Sequence, residues 1–165
     1  MRKIVIMPLG MIDDDILKNI SAPLEKIFHC RVDIAGKMPV PHGSYSSKRR
    51  QYYSTAILKE MLPVIGENTE RALGVADVDL YVPELNFVFG EADISSGTAV
   101  ISLTRLREEF YGNPRNRKLL IERTLKEAVH ELGHTYGLGH CPDHGCIMFF
   151  SNRLRDTDSK GPGFC

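Results

Sequence analysis

Between His130 and Met148 the sequence reads H-E-L-G-H-T-Y-G-L-G-H-C-P-D-H-G-C-I-M, nineteen residues that hold four imidazoles, two carboxylates and two thiols. On a helix of about 3.6 residues per turn, His130 and His134 project from one face, one turn apart, so both rings can reach a single cation. Glu131 lies roughly 100° further round, where it can meet a water on that cation without ligating it. Two histidines leave a catalytic zinc one protein ligand short, because such sites take three protein ligands and keep a fourth position open. His140 is the candidate. To bring it over the same ion the chain must leave the helix soon after His134 and turn sharply, and Gly137 and Gly139 tolerate the positive φ that such a turn demands. The joint pattern predicts a zinc hydrolase; each histidine alone would be read as structural, two on a helix surface and one on a loop.

A histidine pair at this spacing, with Glu beside the first His, is the metalloprotease signature whose Glu serves as general base. H-E-x-x-H-x-x-G-x-x-H with a downstream Met resembles the metzincin pattern, with His130, Glu131, His134, Gly137, His140 and Met148 in place. The chain is more closely similar to the archaemetzincin family, which adds a Cys directly after the third His, a second Cys five residues later, the Met two residues beyond, and then a C-x-x-C pair. Cys141, Cys146 and Met148 fall on those positions, and Cys165 on the first Cys of the pair. Earlier in the chain the phrases L-N-F-V-F-G-E-A and A-V-I-S-L carry the resemblance. It implies an α/β (α+β), metzincin-like zincin fold: a mixed twisted sheet packed on an active-site helix and backing helices, with a small C-terminal subdomain after the Gly turn. Residues 1–165 would form one metallopeptidase-like domain, with an upper subdomain (1–137) carrying the active-site helix and a lower one (138–165) carrying the third His, the Met turn and the Cys-rich site. It further implies that Met148 packs beneath the ligands without ligating, and that an extended peptide adds as a strand to the sheet edge above the helix. Thr98 to Leu103 is the segment expected at that edge, an ordinary internal strand being the alternative.

In this reading His130, His134 and His140 hold a catalytic zinc. Glu131 takes a proton from a water whose pKa the metal lowers toward about 7, and later donates it to the leaving amine. Cys141, Cys146 and Cys165 suit a second, structural zinc, because closely spaced thiolates favour a closed tetrahedral site. Buried free thiols or a Cys141 to Cys146 disulfide compete with it. The fourth ligand is left to His144, a water, or a cysteine outside these 165 residues. Two function classes remain: a zinc-dependent peptidase acting on peptide or protein substrates, and a non-proteolytic zinc-binding protein or interaction module on the same fold. Intact Glu131 favours the enzyme, since binding alone requires no base.

The rest of the composition narrows the partners. Lys+Arg and Asp+Glu are equal at 21 each, so there is no global field to recruit nucleic acid or an anionic membrane, and a monomer is expected. The basic residues Lys48, Arg49, Arg50, Arg105 and Arg107 read as solvated faces, with contact to an acidic substrate as the alternative. The longest apolar run, Ile4 to Ile12, is broken by Pro8 and Gly10 and falls far below the roughly 20 residues that span a bilayer. Met1-Arg2-Lys3 before that run imitates a secretory leader, but no small-x-small site follows, and a first strand is the better reading. With metal-like spacing of three of the four cysteines, a reducing cytoplasm is the expected compartment.

The elements that must position these groups alternate along the chain. Strands are expected at Lys3 to Met7, Arg31 to Ala35, the Ala72 to Val82 region, Asn86 to Gly90 and Thr98 to Leu103, with a turn at Asp93 to Gly97. Helices are expected at Asp13 to Phe28, with acidic residues in its first turn, at Arg49 to Ile65, and from Pro114 to about Tyr136. On the last of these, Ile121, Leu125, Ala128 and Leu132 lie nearly opposite His130 and His134, so one side can enter a core while the other faces a metal. Beyond Met148 the composition turns polar, which suits a loop or short helix with a weakly ordered tail unless Cys165 is tied down.

Overall fold

The computed structural model describes residues 2–165, and its spine is a five-stranded sheet. Strand β1 (Lys3–Leu9) is a near-continuous apolar run, as befits a strand covered on both faces, and it lies between β2 (Arg31–Ile34) and β5 (Thr69–Ala76). Next to β5 comes β8 (Thr98–Ser102), and β7 (Gly90–Asp93) closes the order β2-β1-β5-β8-β7. The first four run parallel; β7 alone is antiparallel. Side chains alternate across this sheet. Leu73 and Val75 enter a core with α1 (Asp14–Phe28) and α3 (Arg117–Thr135), whereas Ala72 and Ala76 enter a second core with α2 (Ser54–Met61) on the other face.

Asp13 caps α1 by accepting from the Asp15 N–H, and Asp14 and Asp15 follow in the first turn. The Arg117 guanidinium binds both Asp13 and Asp15, joining the starts of α1 and α3. Helix α3 begins at Arg117, three residues after the expected Pro114, because Asn116 supplies the cap, its side chain accepting from the Leu119 N–H at 3.0 Å.

Four expectations need correction. The segment expected as one helix from Arg49 to Ile65 opens with strand β4 (Gln51–Tyr53), since Tyr52 and Tyr53 pair with β6 (Leu80–Tyr81); only Ser54–Met61 is α-helical, followed by a 3-10 turn. With β3 (Tyr45–Ser46) these strands form a separate small sheet, β3-β4-β6. The Ala72 to Val82 region therefore divides at Asp77–Asp79 between two sheets. Third, Thr98 to Leu103 is not the edge: β8 is buried along its length between β5 and β7, and the free edge is β7, which starts only at Gly90. Fourth, of the strand expected at Asn86 to Gly90 only Gly90 is in β7; residues 86–89 form a loop, tied to Leu80 by a single antiparallel bridge at Val88.

Helix α3 ends in a Schellman motif. The Leu138 N–H returns to the Gly133 carbonyl (3.1 Å), the Gly137 N–H to that of His134 (2.9 Å), and Gly137 has φ +88°. Gly139 takes no positive φ. The chain then folds beneath α3 and ends in helix α4 (Leu154–Ser159) and a tied-down tail, with Ile147 and Gly161 N–H groups donating to the Gly163 and Gly145 carbonyls. Arg123 of α3 pairs with Asp158, and Thr157 donates to Glu127, fixing α4 on α3. No helix among the described residues is long and apolar enough to cross a membrane.

Candidate active site

The C-terminal half of α3 is buried on most sides: Ala128, Val129 and Leu132 enter the core, and His130 and Glu131 are buried at the floor of a pocket. The helix end orients the rings. His130 Nδ1–H donates to the Ile147 carbonyl (2.8 Å) and His134 Nδ1–H to the Leu138 carbonyl (2.7 Å), the latter supplied by the Schellman turn itself. Backbone acceptors at Nδ1 fix the tautomer and leave each Nε2 as a lone pair. Those two Nε2 atoms lie 3.1 Å apart. Two acceptors repel at that distance unless a cation joins them, and two nitrogens bound tetrahedrally to one zinc lie about 3.3 Å apart.

The return loop brings in His140, stacked on His130 with centroids 5.5 Å apart, edge-on to His134 at 4.8 Å, and backed by Phe150. One nitrogen from each of the three rings lies within 4.8 Å of the others. The donor set is thus three imidazoles, a set that suits zinc. Burial and then the nearby Lys160 charge push the His130 pKa down to about 3, and burial also lowers that of His140.

Glu131 stands at the same pocket, pressed against the edge strand. A Cβ added to Gly90 would meet Glu131 Cγ at 2.7 Å and the Val100 carbonyl at 2.7 Å, so only glycine permits this approach. Burial, then repulsion from Glu127, holds the Glu131 carboxyl well above its ordinary range, with Lys160 opposing. A carboxylate with raised proton affinity is a good acceptor; a dication beside it acts in the opposite sense. Beneath the helix Met148 is buried, its sulfur 2.7 Å from where a Gly133 Cβ would sit.

Three residues of this centre carry no motif signal. Lys160 is wholly buried, its Nζ 3.4 Å from His130 Nδ1, 3.2 Å from the Phe149 carbonyl and 3.9 Å from Glu127 Oε1. Nothing in the polar tail singled it out. Gly90 is legible only once β7 and α3 are adjacent. Glu127, four residues before Glu131, shares its helix face, so helical spacing could have found it.

Cys141, Cys146 and Cys165 form a second cluster, again with ligand atoms within 4.8 Å, and Cys141 Sγ and Cys165 Sγ are 3.8 Å apart. All four cysteines are free thiols, so Cys141 and Cys146 are not paired as a disulfide. Two thiolates bound to one zinc at about 2.3 Å lie about 3.8 Å apart. His144 belongs to neither cluster; it is exposed, with its ring against Phe149. Cys141 adjoins His140, and its N–H donates to the Met148 carbonyl (3.0 Å), coupling the two sites through backbone.

A pocket of about 210 Å³ opens beside His130 and Glu131. Its far wall is the loop from Leu85 to Phe89, and Phe150, Ser151 and Asn152 close it from below. Of the basic residues expected as solvated faces, Lys48 and Arg50 are exposed, whereas Arg105 pairs with Asp79, Arg107 with Asp77, and Arg49 donates to the loop carbonyls of Leu85 and Asn86.

Sheet, helix and converging imidazoles together define a class, the zinc metallopeptidases with a metzincin-like zincin fold. Residues 14–165 match peptidase family M54. A curated protein named archaemetzincin from Methanocaldococcus jannaschii is 44% identical over 163 residues, 99% of this chain and 88% of the relative. The crystal structure of archaemetzincin from Archaeoglobus fulgidus superposes with a TM-score of 0.85 at 40% identity, covering 99% of this chain and 95% of that one. That of a zinc-dependent peptidase from Methanocorpusculum labreanum reaches 0.90 at 30% identity, covering 98% and 95%. The chain belongs to peptidase family M54, the archaemetzincins.

Proposed function

We propose that this protein hydrolyses peptide bonds at a zinc ion held by His130, His134 and His140, with Glu131 as general base and then general acid. The observation that carries the reading is the 3.1 Å approach of two Nε2 lone pairs whose Nδ1 atoms are both committed to backbone carbonyls. When bound there, zinc supplies Lewis acidity, polarising a substrate carbonyl and acidifying a water. Glu131, dry and pressed against β7, accepts the water's proton and holds it for the leaving amine.

The substrate strand adds to β7. Because the Ser102 N–H donates to the Phe89 carbonyl at 2.9 Å and pairing alternates in an antiparallel ladder, Gly90 and Ala92 turn their own backbone groups toward the free edge. Glu91 braces this edge from behind, accepting from the Ser54 hydroxyl and from Thr55 Oγ1 (2.7 Å) at the start of α2. A peptide extended along β7 passes Glu131 at Gly90, and the side chain after the scissile bond enters the pocket walled by Leu85 to Phe89.

Cys141, Cys146 and Cys165 hold a second, structural zinc that keeps His140 and Met148 in place. Residues 1–137 then form the upper subdomain and 138–165 the lower, and the clustered free thiols suit a reducing, cytoplasmic setting. The test pairs metal analysis with cleavage of a peptide library by the wild type and by Glu131→Gln. The variant should keep its metal and lose about 10²–10⁴ in turnover. A variant that cleaves as well as the parent refutes the base; a metal-loaded wild type that cleaves nothing refutes the peptidase.

A further inference from the structure

The pocket wall facing α3 is a loop, yet it is held from behind as firmly as a strand. The Leu85 N–H donates to the Val82 carbonyl (3.1 Å) and the Val88 N–H to that of Leu80 (3.0 Å). Arg49 Nη2 donates to two consecutive carbonyls, Leu85 (2.5 Å) and Asn86 (3.3 Å), while its Nε donates to Gln51 Oε1 (3.0 Å). The buried Gln51 returns its Nε2 to the Asn86 carbonyl (2.8 Å) and to Asp79 (3.0 Å). Asp79 is gripped in turn by two nitrogens of Arg105 at 2.6 and 2.8 Å, and the same guanidinium covers the Phe87 ring at 4.1 Å. None of Arg49, Gln51 and Arg105 lines the pocket.

We propose that Arg49, backed by Gln51 and Arg105, is the positioning residue that sets the shape of this pocket and so determines which side chain is accepted after the scissile bond. The claim rests on the peptidase reading above. A pocket separates side chains differing by one methylene by about 10- to 200-fold only while its walls stay put, and loops without such ties are ordinarily mobile. Arg49 spans loop and strand with two nitrogens at once; a lysine has one.

The test compares Arg49→Met and Arg49→Lys with the wild type, read by backbone hydrogen exchange and by kcat/KM over a peptide panel varied only at the residue after the scissile bond. The methionine loses the guanidinium that lies 4.2 Å over the Tyr81 ring but puts an unbranched apolar side chain in its place, so the variant should fold, and the lysine variant serves if it does not. Exchange should quicken in residues 83–89 and stay unchanged in 117–135, with metal per chain retained. Peptides bearing large apolar side chains should lose at least about 10-fold more kcat/KM than the glycine peptide. Exchange unchanged in 83–89, or an equal loss for every peptide, overturns the proposal. A cleaving wild type with an unaltered profile in both variants does the same and leaves the peptidase reading standing. A wild type that cleaves no peptide of the panel ends the peptidase reading and the selectivity claim together.

Discussion

Gly90→Ala tests whether close approach of β7 to α3 aims the carboxylate of Glu131, the proposed base. The new methyl would sit 2.7 Å from Glu131 Cγ, 2.7 Å from the Val100 carbonyl oxygen and 3.0 Å from Glu131 Oε1, where ordinary contact begins at 3.4 Å. Something must therefore retreat by about 0.7 Å, the difference between 3.4 and 2.7. Val100 O belongs to the neighbouring strand of the ladder and is the stiffer partner; Glu131, though buried, is a side chain and yields first. Overpacking of this kind costs about 1–3 kcal/mol, which for a chain of this size, at about 2–4 °C per kcal/mol, lowers Tm by about 2–12 °C. A misplacement approaching 1 Å costs about 10²-fold in rate. The expected variant is thus folded, metal-loaded, mildly less stable, and about 100-fold slower in kcat, measured by steady-state peptide hydrolysis beside thermal denaturation. If kcat stays within about threefold of the wild type, the edge strand does not aim Glu131 and the account of the base is wrong.

Lys160→Met strips the buried counter-charge from Glu127 and should cost about 3 kcal/mol, read from denaturant unfolding; adding Glu127→Gln should recover part of that loss, and purely additive losses would deny the pair any coupling. Cys165→Ser removes one of three clustered thiolates, so metal analysis should find one zinc fewer per chain and weaker retention of the remaining ion under chelator challenge; two zincs held as tightly as before would exclude Cys165 as a ligand. The pH dependence of the metal-free protein follows from His130. Its folded pKa lies near 3, below the unfolded value near 6.5, so between those values the unfolded chain binds more protons and stability falls as pH falls. The Tm of metal-free protein should drop on acidification from pH 6.5 toward 3, and should drop less in His130→Asn.

The grouping of His130, His134 and Glu131 at the candidate site was legible in the sequence because its logic is local. His130, Glu131 and His134 are related by helical geometry alone, and Gly137 announced the left-handed turn that ends the helix. The first strand and first helix were legible where the local pattern was strong, as in the apolar run of β1 and the helically spaced Ile16, Leu17, Ile20 and Leu24 of α1. Misreadings arose where a tertiary partner outvoted local pattern. Tyr52 and Tyr53 have helical spacing with Ala56 and Ile57, but pairing with Leu80 and Tyr81 draws them into a strand. Thr98–Ser102 looks like an edge in chain order, yet β7 folds back antiparallel and takes that place.

What 165 residues state by themselves is therefore the donor set, its helix and the chemistry it can perform, since those depend on contacts within a turn or two of chain. Which carbonyls hold the rings, that Lys160 lies buried under His130, and that Gly90 rather than any larger residue must face Glu131 were decided only by packing. Apart from the His134–Leu138 bond inside the helix-ending turn, those relations join residues 17 to 41 positions apart, from His130–Ile147 to Gly90–Glu131, and no periodicity encodes a distance that closes only when sheet, helix and tail meet.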